Sequence, residues 1–360
     1  MAPRPNLSDI ARAIGVSSAT VSNALSGKGR VSAQLSRQIA EKARELGYVP
    51  SLAGRALSTG RSHVLGLVLA DIGHPLFPQF AQAIEQAATK AGYGVLIGDS
   101  RGDVKTQTAA IDQLIERGAD GIILVPRHGT RIAEINCPVA VIDTPSTPGN
   151  TVSADHWQGG RLIGAHLRNL GHTHLAIIGL HQDSNVQADR IGGIRTGFGR
   201  EGSVRTLWID ALEADAGPGC ELGLAELVRE GYTAFAAVSD IHALRAVSEL
   251  QRSGLSVPAH VTVTGFDDLH WARSISPALT TVRMNMETIA RLAVADLLLQ
   301  IEPDRTTPPE DETAPPQAVP MELIVRSSSA SPHGNLIPSQ DNNNNSDPDT
   351  LPSREGTNNA

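Results

Sequence analysis

Aromatic side chains are scarce in this chain: Phe, Trp and Tyr together make up 3% of 360 residues. So few rings disfavour a site that stacks on flat ligands such as purines. Cysteine is rarer still, with Cys137 and Cys220 alone, and their separation is not that of a thiolate metal site. A reducing compartment without a structural disulfide follows. No apolar run approaches the ~20 residues needed to span a bilayer. Pro3, Pro5 and a capped helix stand where an export signal needs an apolar core, so a cytoplasmic location without membrane contact is expected. A phosphate-cradling Gly loop, a nucleophile elbow and Cys/His pairs at metal spacing are also missing. His166, His172, His174 and His181 lie close in sequence, but they straddle a helix end and a strand and suit surface or capping roles. No enzyme, cofactor or metal is therefore expected.

The segment Leu7 to Ser26 holds the strongest positive signal. Ile10, Ala11 and Ile14 form an apolar stripe at helical spacing, Gly15 permits a backbone reversal, and Val16 buries the turn. Ser17 is placed to cap a second helix, which Val21 and Leu25 anchor to a small core. Ser18, Ala19, Ser22 and Asn23 then point outward, all small or polar, the profile of a helix that lies close against base edges in a major groove. Ser32 is suited to cap a third helix through Leu35, Ile39, Ala43 and Leu46, ended by Gly47. Residues 1–61 carry nine Lys and Arg against three acids, a net +6, whereas the whole chain is −8, leaving −14 on the remainder. A head attracted to phosphates and a body that is not follow from that reversal.

This region resembles the LacI/GalR family of bacterial transcriptional repressors through Leu7-Ser-Asp-Ile-Ala, Gly15-Val-Ser, Thr20-Val-Ser, Val31-Ser, Leu46-Gly-Tyr-Val-Pro50 and Arg55-Ala-Leu57. The resemblance implies base contacts from Ser18, Ala19 and Asn23 and phosphate contacts from Ser17, Thr20 and Ser22. Residues 50–61 join head to body, and the resemblance implies a hinge helix there, with Leu57 wedged into the minor groove. Such a wedge costs a few kcal/mol of stacking, least at a pyrimidine–purine step. Gly54 weakens that helix by roughly 1 kcal/mol relative to Ala.

From Val64 onward strand and helix alternate: Val64–Ala70, Gly94–Ile97, Gly121–Val125 and Val139–Ile142 read as buried strands, with helices from Gln79 and Thr106 between them. A second series follows with helices from Gly159, Arg190, Glu221 and Ala243, and strands at Leu175, Thr206, Ala234 and Val261. The expected fold is thus an all-α helix-turn-helix headpiece plus α/β, two doubly wound parallel-sheet lobes. The body resembles the same family through Gly159-Gly-Arg, Arg190-x-Gly-Gly-Ile, Gly265-Phe-Asp-Asp268 and Pro277-Ala-Leu-Thr-Thr281, which implies a type I periplasmic-binding-protein-like architecture. Expected domains are a headpiece at 1–49, the hinge at 50–61, an effector-binding and dimerisation body at 62–328, and a disordered tail at 329–360. Within the body, the first lobe takes 62–158 and 284–318 and the second 159–283 and 319–328.

Ligands of open α/β sheets settle beyond the carboxyl ends of strands. Asp71, His74, Asp143, Asp240 and Asp267 stand at such ends, and Arg190 begins a helix toward the same cleft. The resemblance implies effector contacts from Arg190 and Asp267 foremost, then Asp71, His74, Phe77, Asp143, Asp155 and Asp240. Carboxylates and a guanidinium suit vicinal hydroxyls, so a sugar or sugar derivative is the expected effector. Phe77, Trp157 and Trp271 are the available platforms for a sugar face. Tetrameric members of the family this chain resembles carry C-terminal leucine heptads and none stands here, so the resemblance implies a homodimer on a pseudo-palindromic double-stranded operator. A solute-binding protein would share the body but not the basic head.

Overall fold

The computed structural model describes residues 5–26, 31–48, 60–304 and 318–332. The head contains α1 (Leu7–Ile14), α2 (Ser18–Ser26) and α3 (Ala33–Glu45). Asn6 starts α1 by accepting the Ser8 and Asp9 amides, while Asp9 Oδ2 accepts the Asn6 amide in return. These bonds satisfy amides that a helix leaves unpaired at its first turn. Gly15 then adopts φ 79°, the left-handed turn for which a side chain is a strain. Ile10, Val21 and Ile39 are fully buried and meet in one small core.

The first lobe is built on β1 (Val64–Leu69), β2 (Gly94–Asp99), β3 (Gly121–Leu124), β4 (Val139–Asp143), β5 (Asn150–Ala154) and β11 (Ala318–Val319). Its six parallel strands run in the order β11-β5-β4-β3-β1-β2. Leu65, Leu67 and Leu69 face one cluster, and Val68 faces the other with Ile122 and Leu124. Burial on both faces is why β1 reads as a continuous apolar run. Helices α4 (Leu76–Lys90) and α11 (Met286–Ile301) cover one face and α5 (Val104–Glu116) the other.

The second lobe is a four-stranded parallel sheet, β7-β6-β8-β9, of β6 (His174–Gly179), β7 (Ser203–Trp208), β8 (Ala234–Ala237) and β9 (Thr262–Thr264). Around it pack α6 (His156–Asn169), α7 (Asn185–Phe198), α8 (Ile209–Ala216), α9 (Leu224–Arg229) and α10 (Asp240–Arg252). Helices α6 and α7 approach unusually closely. A Cβ on Gly160, Gly164, Gly193 or Gly197 would stand 2.1–2.2 Å from a carbonyl oxygen of the facing helix. Strands β10 (Thr281–Arg283) and β12 (Glu322–Ile324) pair antiparallel between the lobes.

Several boundaries differ from the sequence reading. Helix α7 begins at Asn185, capped by Ser184, so Arg190 lies inside it rather than at its start. The strand expected at Thr206 is followed directly by α8, a helix the sequence reading did not include, and the helix expected from Glu221 is the shorter α9. Strand β5 was not expected at all. Val319 pairs in the first-lobe sheet, and residues 329–330, placed in the tail, are bonded to the second lobe through His166, His172 and Thr262. Leu57, residues 49–59 and residues 333–360 lie outside the described residues. Among the described residues, no helix is long and apolar enough to cross a membrane.

Candidate functional site

Two regions bring the expected side chains together. In the head, Ser17 caps α2: its hydroxyl accepts the Thr20 amide at 3.1 Å and lies 2.9 Å from the Thr20 hydroxyl. That places both hydroxyls at the helix start, where backbone amides and hydroxyls suit phosphate oxygens. Ala19 and Asn23 are exposed on the outer face, Ser18 and Ser22 half-exposed beside them. Ser18 also meets Ser8 of α1 at 3.3 Å, tying the reading helix to its support.

In the body, a cavity of about 970 Å³ opens between the lobes at the carboxyl ends of the strands. Asp71, His74, Phe77 and Asp143 reach it from the first lobe, Arg190 and Asp267 from the second. The Arg190 guanidinium is buried and held on every side. Its Nη2 pairs with Asp267 Oδ1 at 3.0 Å, Nη1 donates to the Val238 carbonyl at 2.6 Å, Nε donates to His156 Nδ1 at 3.3 Å, and Phe266 lies beneath it at 4.1 Å. The contact to Asp267 is close in distance but poorly aligned, so Asp267 Oδ1 makes no hydrogen bond and keeps acceptor capacity. Burial and the adjacent Arg190 cation hold the His156 ring well below its ordinary pKa, so it is a neutral acceptor for Arg190.

Two histidines on the cavity wall, His74 and His242, are shifted in the same direction, chiefly by burial. Burial lowers His74, and burial with His74 and Arg245 nearby takes His242 down to about 4. Burial pushes Asp143 up, against the hydroxyl of Thr147, which donates to its Oδ2 at 2.5 Å.

Asp155 and Asp240, expected as effector contacts, are occupied elsewhere. Asp155 caps α6 by accepting the Gln158 amide at 2.9 Å, and its own amide is bonded to Val319. Asp240 is fully buried, accepting from the Leu269 amide and the Thr281 hydroxyl, and is pushed up to about 7 by burial and then by Asp267. Neither lines the cavity. Trp157 covers Gly192 on the outer side of α7, and Trp271 packs against the second-lobe core, so Phe77 is the aromatic of the three that faces the cleft. Sequence reasoning missed Arg127, His181 and His242, which line the same cavity from loops and from the first turn of α10.

Below the cleft, Asp267 and Asp268 both have left-handed backbone, φ 103° and 47°. Asp267 serves Arg190, while Asp268 accepts from Arg283 Nε at 2.7 Å, at the end of β10, and from Arg326 Nη2 at 2.6 Å, two residues past β12. Helix α11 starts three residues after Arg283 and ends on Arg61, whose guanidinium contacts the Ile301 carbonyl at 2.8 Å and Glu302 at 2.7 Å. Tyr93 donates to the same Glu302 carboxylate.

Residues 6–51 match the family model described as bacterial regulatory proteins, lacI family, and residues 165–329 match the periplasmic binding protein-like domain. The chain is 30% identical over 285 residues to the HTH-type transcriptional regulator DegA of Bacillus subtilis, covering 76% of this chain and 85% of DegA. It is 32% identical over 345 residues to the HTH-type transcriptional regulator reg1 of Streptomyces lividans, covering 91% of this chain and 97% of reg1. A solved Lac repressor dimer, bound to operator and the anti-inducer ONPF, superimposes with a TM-score of 0.74 at 24% identity, covering 91% of this chain and all of that one. With a helix-turn-helix head, a two-lobed body and relatives of this closeness, the chain belongs to the LacI family of transcriptional regulators, whose DNA binding is controlled by an effector.

Proposed function

We propose that this regulator is a repressor that occupies a pseudo-palindromic operator as a homodimer, and that a small polar effector of carbohydrate character controls how firmly it holds. The observation that carries the effector half is the Arg190–Asp267 pair, in a cleft to which both lobes contribute. A fixed guanidinium, a carboxylate with spare acceptor capacity and the further carboxylates Asp71 and Asp143 exchange hydrogen bonds with vicinal hydroxyls, and Phe77 offers an apolar face to a ring. His74 completes this set. Binding without turnover is part of the reading, so product analysis returns the ligand unchanged.

In the head, Ser17, Thr20 and Ser22 hold phosphates, while Ser18, Ala19 and Asn23 meet bases. Asn23 is suited to a bidentate pair with adenine and Ala19 to a thymine methyl group. The Lac repressor, which shares the fold, is a dimer on its operator in the solved structure, and we extend that assembly to this chain.

Coupling runs through the adjacent residues Asp267 and Asp268. A ligand that engages Asp267 biases the backbone that also carries the Asp268 clamp on Arg283 and Arg326. Helix α11 passes the resulting lobe rotation to Arg61, where the linker meets the body. Couplings of this kind are ~1–3 kcal/mol, a ~5–150-fold change in DNA affinity.

The test is a thermal-shift screen of sugars and related metabolites, with hits repeated in an operator titration. Arg190→Lys is the informative variant, because Ala would strand the Asp267 carboxylate. It keeps the charge but loses the fork onto Val238 and His156. The effector response is expected to vanish while operator preference persists, and an unchanged dose response removes Arg190 from the site.

A further inference from the structure

We propose that the effector carries one anionic group, phosphate or carboxylate, and that Arg127 receives it, an inference that rests on the carbohydrate reading above. Among the described residues, the arginines that are not exposed are Arg61, Arg127, Arg190, Arg245 and Arg326. Four have carboxylate partners: Arg61 pairs with Glu302, Arg190 with Asp267, Arg245 with Glu213, and Arg326 with Asp268. Arg127 is the exception. Its hydrogen bonds run from the backbone, and its guanidinium has neither an ion pair nor a hydrogen bond to any described residue. This partly exposed cation lines the effector cleft, where its donors are available to an anion.

The loop that presents Arg127 is built rather than loose. Gln107 of α5 is fully buried; its Nε2 donates to the Val125 carbonyl at 3.0 Å, and its Oε1 accepts the Arg127 amide at 3.0 Å. The Thr130 hydroxyl donates to the same Oε1 and accepts the Arg127 amide at 3.1 Å. Gly129, at φ 89°, closes the turn, and His128 and Arg131 flank Arg127 on the cavity wall. Arg131 is paired with Glu134, which leaves Arg127 as the unspent charge of the loop.

The cleft is not basic throughout. Asp71, Asp143, Asp183, Asp267 and Glu134 also line it, with Asp267 matched by Arg190 and Glu134 by Arg131. Those carboxylates accept from hydroxyls and repel anions, which confines the negative group to the Arg127 end and leaves a hydroxyl-rich remainder. A phosphorylated sugar and a sugar acid share that chemistry. A planar guanidinium forks onto either oxyanion.

The test is calorimetric titration of the full chain, and of Arg127→Gln and Arg127→Lys, with glucose, glucose 6-phosphate, glucuronate, ribose, ribose 5-phosphate and inorganic phosphate. At least one anionic sugar is expected to bind roughly tenfold to a hundredfold tighter than its neutral parent. That ratio is expected to fall to near one in Arg127→Gln and to an intermediate value in Arg127→Lys. Comparing glucose 6-phosphate with glucuronate separates phosphate from carboxylate. Equal affinity for parent and anion, or a preference that Arg127→Gln leaves intact, overturns the proposal while the carbohydrate reading stands. If Arg127 instead pairs with Asp183, another residue of the cavity wall, Arg127→Gln weakens neutral and anionic sugars alike and the ratio is unmoved, which overturns it as well. Binding of none of these probes also overturns it, and a wider sugar panel without a hit takes the carbohydrate reading with it.

Discussion

Gly160→Ala is a severe test of how Arg190 is seated. A Cβ at position 160 stands 2.2 Å from the Arg190 carbonyl oxygen and 2.9 Å from the Ile194 amide nitrogen. Both are backbone atoms, which no change of rotamer can move aside. Relief to an ordinary contact of 3.4 Å requires α6 and α7 to part by about an ångström. Overpacking of this kind costs ~1–3 kcal/mol, and alanine returns ~1 kcal/mol as the better helix former. Gly164, Gly193 and Gly197 hold the same seam at the same closeness, so little relaxation is available and the cost falls at the upper end. A net loss of about 2 kcal/mol is expected. Urea denaturation followed by circular dichroism measures it. Effector affinity falls too, because the backbone displaced is that of Arg190, whose guanidinium rests 4.1 Å over Phe266. Gly94→Ala is the control: nothing stands within 4 Å of its Cβ and its φ is unexceptional, so stability holds or rises by up to ~1 kcal/mol. If Gly160→Ala were as stable as the parent, or Gly94→Ala lost as much, the close seam would not be what holds Arg190.

His242 makes stability depend on pH. With its folded pKa lowered to about 4 from 6.5, its contribution is complete above about pH 6.5 and is lost as pH falls toward 4, by up to about 3 kcal/mol. Denaturation midpoints across that interval are expected to show a shallower acid slope in His242→Asn, and an unaltered slope contradicts the burial argument. Glu302→Gln removes the ion pair that helps tie Arg61 to the end of α11, leaving the Ile301 carbonyl contact, so the factor by which effector changes operator affinity is expected to move toward one while calorimetric effector affinity holds. Asn23→Ala is expected to lose ~1–3 kcal/mol of operator preference at one base pair, with nonspecific binding and its salt slope nearly intact.

The headpiece was legible because its signals are local: an apolar stripe, a capping serine and a glycine turn lie within twenty consecutive positions or so. The parallel strands were legible because burial on both faces leaves uninterrupted apolar runs such as Leu65 to Leu69. Strand β5 carries Asn150, Thr151 and Ser153, and it is a strand because β4 and β11 flank it, a fact of tertiary context. The first turns of α7 hold Gln187, Ala188 and Asp189 without an apolar stripe, so only the cap at Ser184 marked the true start. Aspartates after strands were ambiguous by nature, since a carboxylate caps a helix as readily as it meets a ligand. Asp155 caps, Asp240 is buried under Leu269 and Thr281, and Asp267 faces the cleft. Arg127 and His242 lie in a loop and a helix turn far apart in sequence, and only the assembled lobes bring them to one cavity.

The most direct measurement is a fluorescence titration of the full chain against an operator duplex recovered by selection, with and without a ligand that calorimetry shows to bind the body. Operator affinity should move by ~5–150-fold on ligand saturation, with a clear preference over scrambled duplex in the binding-competent state. Identical dissociation constants with and without saturating ligand, or equal affinity for scrambled DNA, would contradict effector-controlled operator binding.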